Sequence, residues 1–295
     1  MSDTLDSDLR FAILIDADNV AEKYIKIILE EVANSGIATY KRIYGDWTSP
    51  RLGSWKSCLL DNSIIPMQQY SYTYGKNSTD SAMIIDAMDI LYSGTVDGFA
   101  IVSSDSDFTR LAARLRESGM VVIGMGEQKT PQPFISACNS FKYLDLLYAA
   151  HVAEEEAEDE EDAEPPAARA KASSRKKQPG KGSGRKEETE TVDSADAPDS
   201  GEVPFGEMSK ADRRRHLKKI RKTVNAICDK FSDDDGWVSL AQMGNELSKR
   251  LPDFDVRNYG YRKLSPFMKS LGAYEFDEPT SANGQRQIYL RVKEH

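Results

Sequence analysis

The chain has 295 residues, a formal net charge of −9 and a composition that is 39% hydrophobic and 29% charged. This length suggests about two domains, and no apolar run approaches the ~20 residues of a membrane-spanning helix. The acidic, polar start, MSDTLDSDLR, is unlike a signal peptide, so we expect a cytoplasmic protein without a membrane partner. The three cysteines form no CxxC pair and the three histidines lie outside the apolar segments. This pattern argues against a disulfide framework, a zinc site and a histidine-based catalytic triad.

The charge is distributed unevenly along the chain. Residues 1–150 carry 13 Lys and Arg against 19 Asp and Glu, a net charge of −6. Residues 151–208 carry 8 against 17, a net charge of −9, and residues 209–295 carry 18 against 12, a net charge of +6. The overall acidity argues against nonspecific coating of nucleic acid, whereas the basic last segment is compatible with a local anion-binding face.

Strands and helices alternate through residues 1–150. We predict strands at FAILID, ATYKRIYGD, IIPMQQY, GFAIVSSD and MVVIGMG. Helices are predicted at VAEKYIKIILEEVANSG, around Trp55–Leu60, at STDSAMIIDAMDILYSG and at DFTRLAARLRESG. Continuous apolar strands in alternation with helices predict a parallel sheet that helices cover on both faces. Residues 1–150 therefore read as one α/β domain.

The segment 151–208 has almost no large apolar residues. It cannot bury enough surface to offset the conformational entropy that ordering would cost. We therefore predict a disordered, charged linker at 151–208 between two folded domains.

The last segment, 209–295, has the pattern of a winged helix. Its first helix, SKADRRRHLKKIRKTVNAICDKF, carries one apolar stripe. A second helix is predicted in GWVSLAQMGNELSKRLP and a third in NYGYRKLSPFMKSLG. The terminal YEFDEPTSANGQRQIYLRV predicts a hairpin that turns at Asn283-Gly284.

Carboxylates follow several of the predicted strands of the first domain. They are Asp16 and Asp18 after the first strand, Asp46 after the second, Asp80 at a helix start and Asp105 and Asp107 after the fourth strand. In a parallel sheet these positions share one edge, where ligands bind. Asp and Asn commonly cap helices, which explains any single site but poorly explains a convergent set. Crowded like charges favour a cation, and oxygen ligands without His or Cys favour Mg²⁺ or Mn²⁺.

Such a site suits hydrolysis of a phosphodiester, because a divalent metal can activate water and neutralise charge on the leaving oxygen. Asp18 and Asp107 are equally well interpreted as outer metal ligands or as helix caps. Lys76 and the hydroxyls of Ser78 and Ser104 are candidates for substrate phosphate contact. Hydrogen bonds within their own loops are an equal alternative for these three side chains.

Four segments of the first domain resemble the NYN domain of the PIN-like ribonuclease group. In order, they are FAILIDADNV, GKNSTDSAMIIDAMDILYSG, AIVSSDSDFTRLAARLRESG and VVIGMG. The resemblance covers roughly residues 9–148 and implies a compact parallel α/β fold with an acidic metal-binding cleft. The site residues that it implies are Asp16, Asp80 and Asp105 at the centre, Asp107 and Asn19 in support, and Asp46 as a position found in some members.

The tail resembles the OST-HTH, or LOTUS, domain over about residues 210–293, through GWVSLAQMGNELSKRLPDF, NYGYRKLSPFMKSLGAYE and IYLRV. The resemblance implies a winged-helix module linked to RNA and, in some proteins, to helicase partners. Arg214 and Lys218, on the basic first helix, are candidate RNA contacts, and a solvated helix face is the alternative. Trp237, Tyr259 and Tyr261 are candidates for base stacking if they are exposed.

Our first interpretation is a Mg²⁺- or Mn²⁺-dependent ribonuclease, a hydrolase whose tail recruits RNA or a protein partner. The alternative is a catalytically weak RNA-binding regulator that retains the NYN fold. A third hypothesis is a two-carboxylate phosphatase, for which the Asp-Ala-Asp at 16–18 offers a nucleophile but no convincing partner motif follows.

Overall fold

The computed structural model describes residues 8–70, 78–162, 210–279 and 287–293. Lys76, most of the predicted linker and the predicted turn at Asn283-Gly284 lie outside the described residues.

Within the described ranges, residues 8–162 form a six-stranded parallel sheet with helices on both faces, which confirms the predicted fold class. The strands are β1 (Arg10–Asp16), β2 (Ile37–Gly45), β3 (Ile65–Gln68), β4 (Gly98–Val102), β5 (Val121–Gly126) and β6 (Ser140–Tyr143). The helices are α1 (Ile25–Ala33), α2 (Trp55–Asp61), α3 (Ser78–Ser93), α4 (Thr109–Glu117), α5 (Gln132–Ala137) and α6 (Leu144–Asp162). The sequence predicts five of these strands and misses β6, because SFKY is too short and too polar to stand out as a buried strand.

The strand order is β3-β2-β1-β4-β5-β6, and every neighbouring pair is parallel. Helices α1, α2 and α6 pack on one face of the sheet, and α3, α4 and α5 pack on the other. The chain therefore leaves β1 towards one face and β4 towards the opposite face. This divergence opens a crevice beyond the ends of β1 and β4, the position where open α/β sheets bind ligands.

Strand β1 is buried on both of its faces. Ile13 and Ile15 enter one core, Ala12 and Leu14 enter the other, and all four are fully buried. An apolar strand without alternation is what a central parallel strand requires. The burial of β1 ends with Asp16, which is also fully buried.

Helix α6 runs to Asp162, twelve residues into the segment 151–208 that the sequence predicts to be disordered. The first turns of α6 place Leu144 and Leu147 in the core, so the helix starts from a packed base. The following AAHVAEEEAEDEED is rich in Ala and Glu, which have high helix propensity. The low content of apolar residues therefore does not prevent helix formation here, and α6 overlaps the first twelve residues of the predicted linker.

The tail forms a winged-helix arrangement with its own core, as predicted. Its elements are α7 (Lys210–Phe231), β7 (Val238–Ser239), α8 (Leu240–Arg250), a 3-10 turn (Val256–Tyr259), α9 (Leu264–Ser270), β8 (Tyr274–Asp277) and β9 (Tyr289–Val292). The predicted hairpin strands pair as β8 and β9, and the unpredicted two-residue β7 joins them in an antiparallel sheet of order β7-β9-β8. Ile220, Val224 and Ile227 of the apolar stripe are buried.

Two further sequence predictions concern cysteines and membranes. Cys58, Cys138 and Cys228 are free thiols, and burial raises the pKa of Cys138 to about 12 and of Cys228 to about 11. These two buried, protonated thiols are suited to packing rather than to chemistry. Among the helices that the structure describes, none combines the length and the apolarity needed to cross a bilayer.

Gly98, at the start of β4, provides a test of the packing between the central strands. An added Cβ would lie 2.7 Å from the carbonyl oxygen of Val121 and 2.5 Å from the ring of Phe11. Because the neighbouring backbone cannot move freely, Gly98→Ala should lower the free energy of unfolding by about 1–3 kcal/mol. Thermal denaturation measures the change. The reference variant is Gly53→Ala, where φ is −61° and the added Cβ would approach only Pro50 O, at 3.1 Å. Equal stability of the two variants would contradict this packing.

Candidate functional site

The crevice beyond β1 and β4 collects carboxylates from separate connections of the chain. Asp80 lies in the first turn of α3, and Asp105 and Asp107 follow β4. Each of these three places a carboxylate oxygen within 4.8 Å of the oxygens of the other two. Carboxylates from α3 and from the loop after β4 therefore lie together at this edge of the sheet.

Asp16 ends β1 and forms the floor of this crevice. Its Oδ2 accepts hydrogen bonds from Ser103 Oγ at 2.8 Å and from Asn19 Nδ2 at 2.7 Å, and its Oδ1 accepts from the backbone N–H of Asp18 at 3.1 Å. Burial raises the pKa of Asp16, and the hydrogen bonds from Asn19 and Ser103 oppose that increase. Three donors thus fix the orientation of a fully buried carboxylate.

The electrostatics of Asp80 show how crowded the site is. Burial, together with the negative charges of Asp16, Asp105, Asp107 and Asp18, raises the pKa of Asp80 to about 6. The four neighbouring carboxylates therefore disfavour the ionised form of Asp80. A cation held between them would relieve the repulsion, and a donor set of carboxylate oxygens fits a hard divalent ion.

The loops also use some of these carboxylates to hold their own backbone. Asp105 Oδ1 accepts a hydrogen bond from the N–H of Asp107 at 2.9 Å and caps the 3-10 turn Ser106–Phe108. Asp18 Oδ2 accepts a hydrogen bond from Thr79 Oγ1 at 3.2 Å, which ties the first loop to the start of α3. Asp105 thus caps the 3-10 turn and also lies close to the other carboxylates. Asp107 is more exposed than Asp105.

Asp46 and Ser104 have different surroundings from this group. Asp46 Oδ1 holds the turn after β2, accepting from Thr48 N at 3.1 Å, Thr48 Oγ1 at 2.6 Å and Gln68 Nε2 at 3.0 Å. Ser104 is 8% exposed, and its Oγ accepts from the N–H of Glu127 at 2.9 Å. Both side chains support loops at the edge of the sheet that carries the crevice.

Sequence reasoning overlooked two positioning residues, Ser103 and Thr79. Ser103 Oγ donates to Asp16 and accepts from the N–H of Asp105 at 3.1 Å, so one hydroxyl connects the ends of β1 and β4. Thr79 reaches Asp18, as described above. The available signal was their position beside Asp in SSDSD and STD, since a hydroxyl next to a metal-binding carboxylate often orients that carboxylate.

Gly126, at the end of β5, allows the loop that carries Ser103 and Ser104 to pack closely against β5. A Cβ at this position would lie 2.7 Å from both the carbonyl oxygen of Ser103 and Thr130 Oγ1, and 3.0 Å from Ser104 Oγ. A side chain there would displace the loop that carries Ser103 and Ser104.

The tail presents part of its basic first helix to solvent. Arg214 and Lys218 are exposed on α7, as an RNA-contacting role requires. Arg221, on the same helix, has a contact within the tail: its Nη2 donates to the carbonyl oxygen of Leu271 at 2.7 Å.

The aromatic candidates for base stacking are less available than the sequence suggests. Tyr259 is 7% exposed and packs against Phe267 at a centroid distance of 5.1 Å, so the structure removes it as a stacking platform. Tyr261 packs edge-on to the same ring at 5.6 Å. Trp237 is half-buried beneath the guanidinium of Arg291, 4.7 Å from the ring centroid. The local residue pattern did not reveal that Tyr259 and Tyr261 pack in the core of the tail.

The raised pKa of Asp80 predicts a pH-dependent stability of the metal-free protein. A carboxyl whose pKa rises from 3.8 to about 6 on folding destabilises the fold once it ionises, so stability falls as pH rises from about 4 to above 6. Asp80→Asn should therefore raise the melting temperature at pH 7 in EDTA, with little effect near pH 4. The gain in unfolding free energy should be about 1–2 kcal/mol, because solvent screens part of the repulsion. Thermal melts across this range measure the difference.

The matched control is Asp89→Asn, on the exposed side of the same helix, which should leave the melting temperature nearly unchanged. Mn²⁺ should stabilise the wild type more than Asp80→Asn. A stability gain at Asp80 that is equal at both pH values would contradict the assigned repulsion.

Comparison with known proteins agrees with the two-part architecture. The sequence model of the NYN domain matches residues 10–145, and that of the OST-HTH/LOTUS domain matches residues 214–284. A search of curated proteins found no match to the chain.

Two solved structures are similar to parts of the chain. A Vibrio parahaemolyticus protein of unknown function, known from a crystal structure, shares 21% identity over 47% of this chain and 94% of its own, with a TM-score of 0.39. An uncharacterised Nitrosomonas europaea protein, known from a solution NMR structure, shares 31% identity over 36% of this chain and 94% of its own, with a TM-score of 0.26. From the two domain matches and the fold, the chain carries an NYN domain at residues 10–145, followed by an OST-HTH/LOTUS domain at residues 214–284.

Proposed function

We propose that this protein is a Mg²⁺- or Mn²⁺-dependent ribonuclease that hydrolyses RNA phosphodiester bonds in the acidic crevice. The observation that carries the proposal is the convergence of Asp80, Asp105 and Asp107 within 4.8 Å, beside the buried Asp16, at the switch point of an NYN domain. Such a cluster is costly without a cation and suited to a phosphate-bound one.

In this proposal Asp16, Asp80 and Asp105 hold the metal, and Asp107 supports them from the more exposed side. The bound cation would polarise the scissile phosphate, lower the pKa of a water and neutralise the leaving oxygen. Ser103 and Asn19 keep Asp16 in place through their hydrogen bonds.

The remaining sequence candidates take subsidiary roles. Asp46 is proposed as an additional acidic ligand at the same edge, and Asn19 as a residue that borders the substrate. Lys76 and Ser104 are proposed as phosphate contacts. For Ser104 this is possible because a hydroxyl that accepts one hydrogen bond still has a proton to donate.

The proposal also assigns roles to the rest of the chain. The OST-HTH domain binds RNA or a protein partner, and a charged linker within residues 151–208 joins it to the NYN domain. Free cysteines suit a reducing compartment, so we place the protein in the cytoplasm.

Removing a proposed ligand should abolish cleavage while the fold persists. Asp105→Asn and Asp16→Asn should each lower the rate of metal-dependent cleavage of a labelled RNA by more than about 100-fold, because loss of a ligand removes the cation itself. Ser103→Ala should lower it by about 10–100-fold, the range for a residue that orients a ligand. Asp89→Asn again serves as the control and should retain full activity.

Calorimetry with Mn²⁺ separates loss of metal binding from loss of chemistry. Binding that persists unchanged in a variant with both Asp16→Asn and Asp105→Asn would refute the site. If the wild type binds RNA but never shortens it, the protein is a regulator. If it instead releases phosphate from a small ester, the phosphatase hypothesis holds.

Basic residues on α7 should contribute to RNA affinity by neutralising backbone phosphates. In an Asp105→Asn background, Arg214→Glu with Lys218→Glu should weaken RNA binding and reduce the slope of log affinity against log salt by about 1.4, or about 0.7 for each phosphate that is no longer neutralised. Fluorescence anisotropy across a salt series measures both effects. Lys249→Glu with Lys269→Glu provides the matched change of charge, since these exposed lysines pair with Glu246 and Glu278. Equal effects of the two double variants would mean that α7 does not bind RNA specifically and would favour a protein partner.

A further inference from the structure

The OST-HTH domain lies against an edge of the NYN sheet. The backbone N–H of Phe141, in the edge strand β6, donates to the carbonyl oxygen of Pro252 at 2.7 Å. Tyr143 of the same strand donates through its hydroxyl to Asp253 Oδ2 at 3.4 Å. Unpaired backbone groups at a sheet edge invite pairing with other chains, so a contact that covers β6 has a protective value.

Four charged residues meet beside this contact. The NYN domain supplies Glu31, on α1, and Lys142, on β6, and the OST-HTH domain supplies Asp255 and Arg257. The guanidinium of Arg257 lies 2.6 Å from Glu31 and 2.8 Å from Asp255, and Lys142 Nζ lies 2.8 Å from Asp255 and 3.3 Å from Glu31. The charges alternate around a closed ring, which we call the four-charge ring, so every charge has two neighbours of opposite sign.

The two carboxylates of the ring remain ionised although they are largely buried. The exposed fraction of the side chain is 6% for Glu31 and 11% for Asp255. Burial alone would raise the pKa of both, but the hydrogen bond from Arg257 and the charge of Lys142 hold both pKa values below their ordinary range. The interface therefore depends on charge pairing that crosses between the domains.

Each domain keeps one ion pair of its own when the two domains separate. Glu31 and Lys142 form an ion pair within the NYN domain, and Asp255 and Arg257 form one within the OST-HTH domain. Undocking breaks the two cross-domain ion pairs without leaving a single buried charge, which is the most costly outcome for an ion pair. Reversible docking is thus compatible with the strength of the ring.

A pocket of about 280 Å³, partly open to solvent, lies between the domains beside the ring. Ile27 and Leu147 line it from the NYN side, and Tyr261 and Arg262 line it from the OST-HTH side. The backbone hydrogen bond to Phe141 and the four-charge ring are the directional polar contacts at this interface.

We propose that the four-charge ring latches the OST-HTH domain onto β6, so that the two domains form one body in solution and the partner of this sheet edge is the chain's own tail. The latch holds α7 at a set position relative to the acidic crevice instead of leaving it on a free tether. The relevance of this fixed position of α7 to RNA recognition rests on the proposed function. The docking of the two domains does not depend on that function.

A charge-exchange cycle on the full chain tests the latch by small-angle X-ray scattering, without RNA or metal. The exchange Glu31→Lys with Lys142→Glu preserves net charge and the ion pair inside the NYN domain, yet it sets like charges at both cross-domain pairs. The radius of gyration and maximum dimension should increase relative to the wild type. Adding Asp255→Lys and Arg257→Glu restores the alternation with every sign reversed and should restore the compact curve.

The control exchange is Glu246→Lys with Lys249→Glu, an ion pair within α8, which should leave the scattering unchanged. Asp255 also caps the 3-10 turn Val256–Tyr259 by accepting from the N–H of Arg257 at 3.0 Å, so thermal melts accompany the fourfold variant. The first exchange leaves the tail sequence intact and decides the proposal by itself. Identical scattering of that variant and the wild type would overturn the latch, whatever the outcome of the cleavage experiments.

Discussion

The hydrogen bond from Ser103 to Asp16 joins the ends of the two central strands, and the acidic crevice depends on it. It spans β1 and β4, whose connections leave towards opposite faces of the sheet. The same hydroxyl accepts from the N–H of Asp105, so the loop after β4 is held in place against the buried carboxylate of β1. A fully buried charge at this position is tolerated because its oxygens have donors on three sides.

The crevice and the four-charge ring use charge in opposite ways. In the crevice, the groups that raise the pKa of Asp80 are burial and four carboxylates, with no basic side chain among them. The folded state therefore contains a repulsive charge interaction at Asp80. In the ring, acidic and basic groups alternate, and the pKa of each carboxylate is lowered. The first arrangement keeps a site ready for a cation, and the second closes an interface.

Much of the fold was predictable from local patterns. Continuous apolar strands and amphipathic helices predicted the parallel sheet and the winged helix, because burial on one or two faces leaves a direct trace in residue spacing. The motifs around Asp16, Asp80 and Asp105 pointed to one edge, because parallel strands end on the same side. Short elements such as β6 and β7 left too little pattern to detect. The Ala- and Glu-rich extension of α6 was not predicted, because a low content of apolar residues indicates little burial but does not exclude a helix.

Residue patterns along the chain were sufficient to predict the fold class, the division into two folded parts and the residues that bring negative charge to the crevice. The contacts between distant groups emerge only in the folded chain: Ser103 orients Asp16, Tyr259 is buried in a core, and Glu31 lies beside Arg257, 226 positions away. This difference arises because residue spacing records which face of its own helix or strand a side chain occupies. Contacts between elements depend on how those faces are brought together, which no local pattern records.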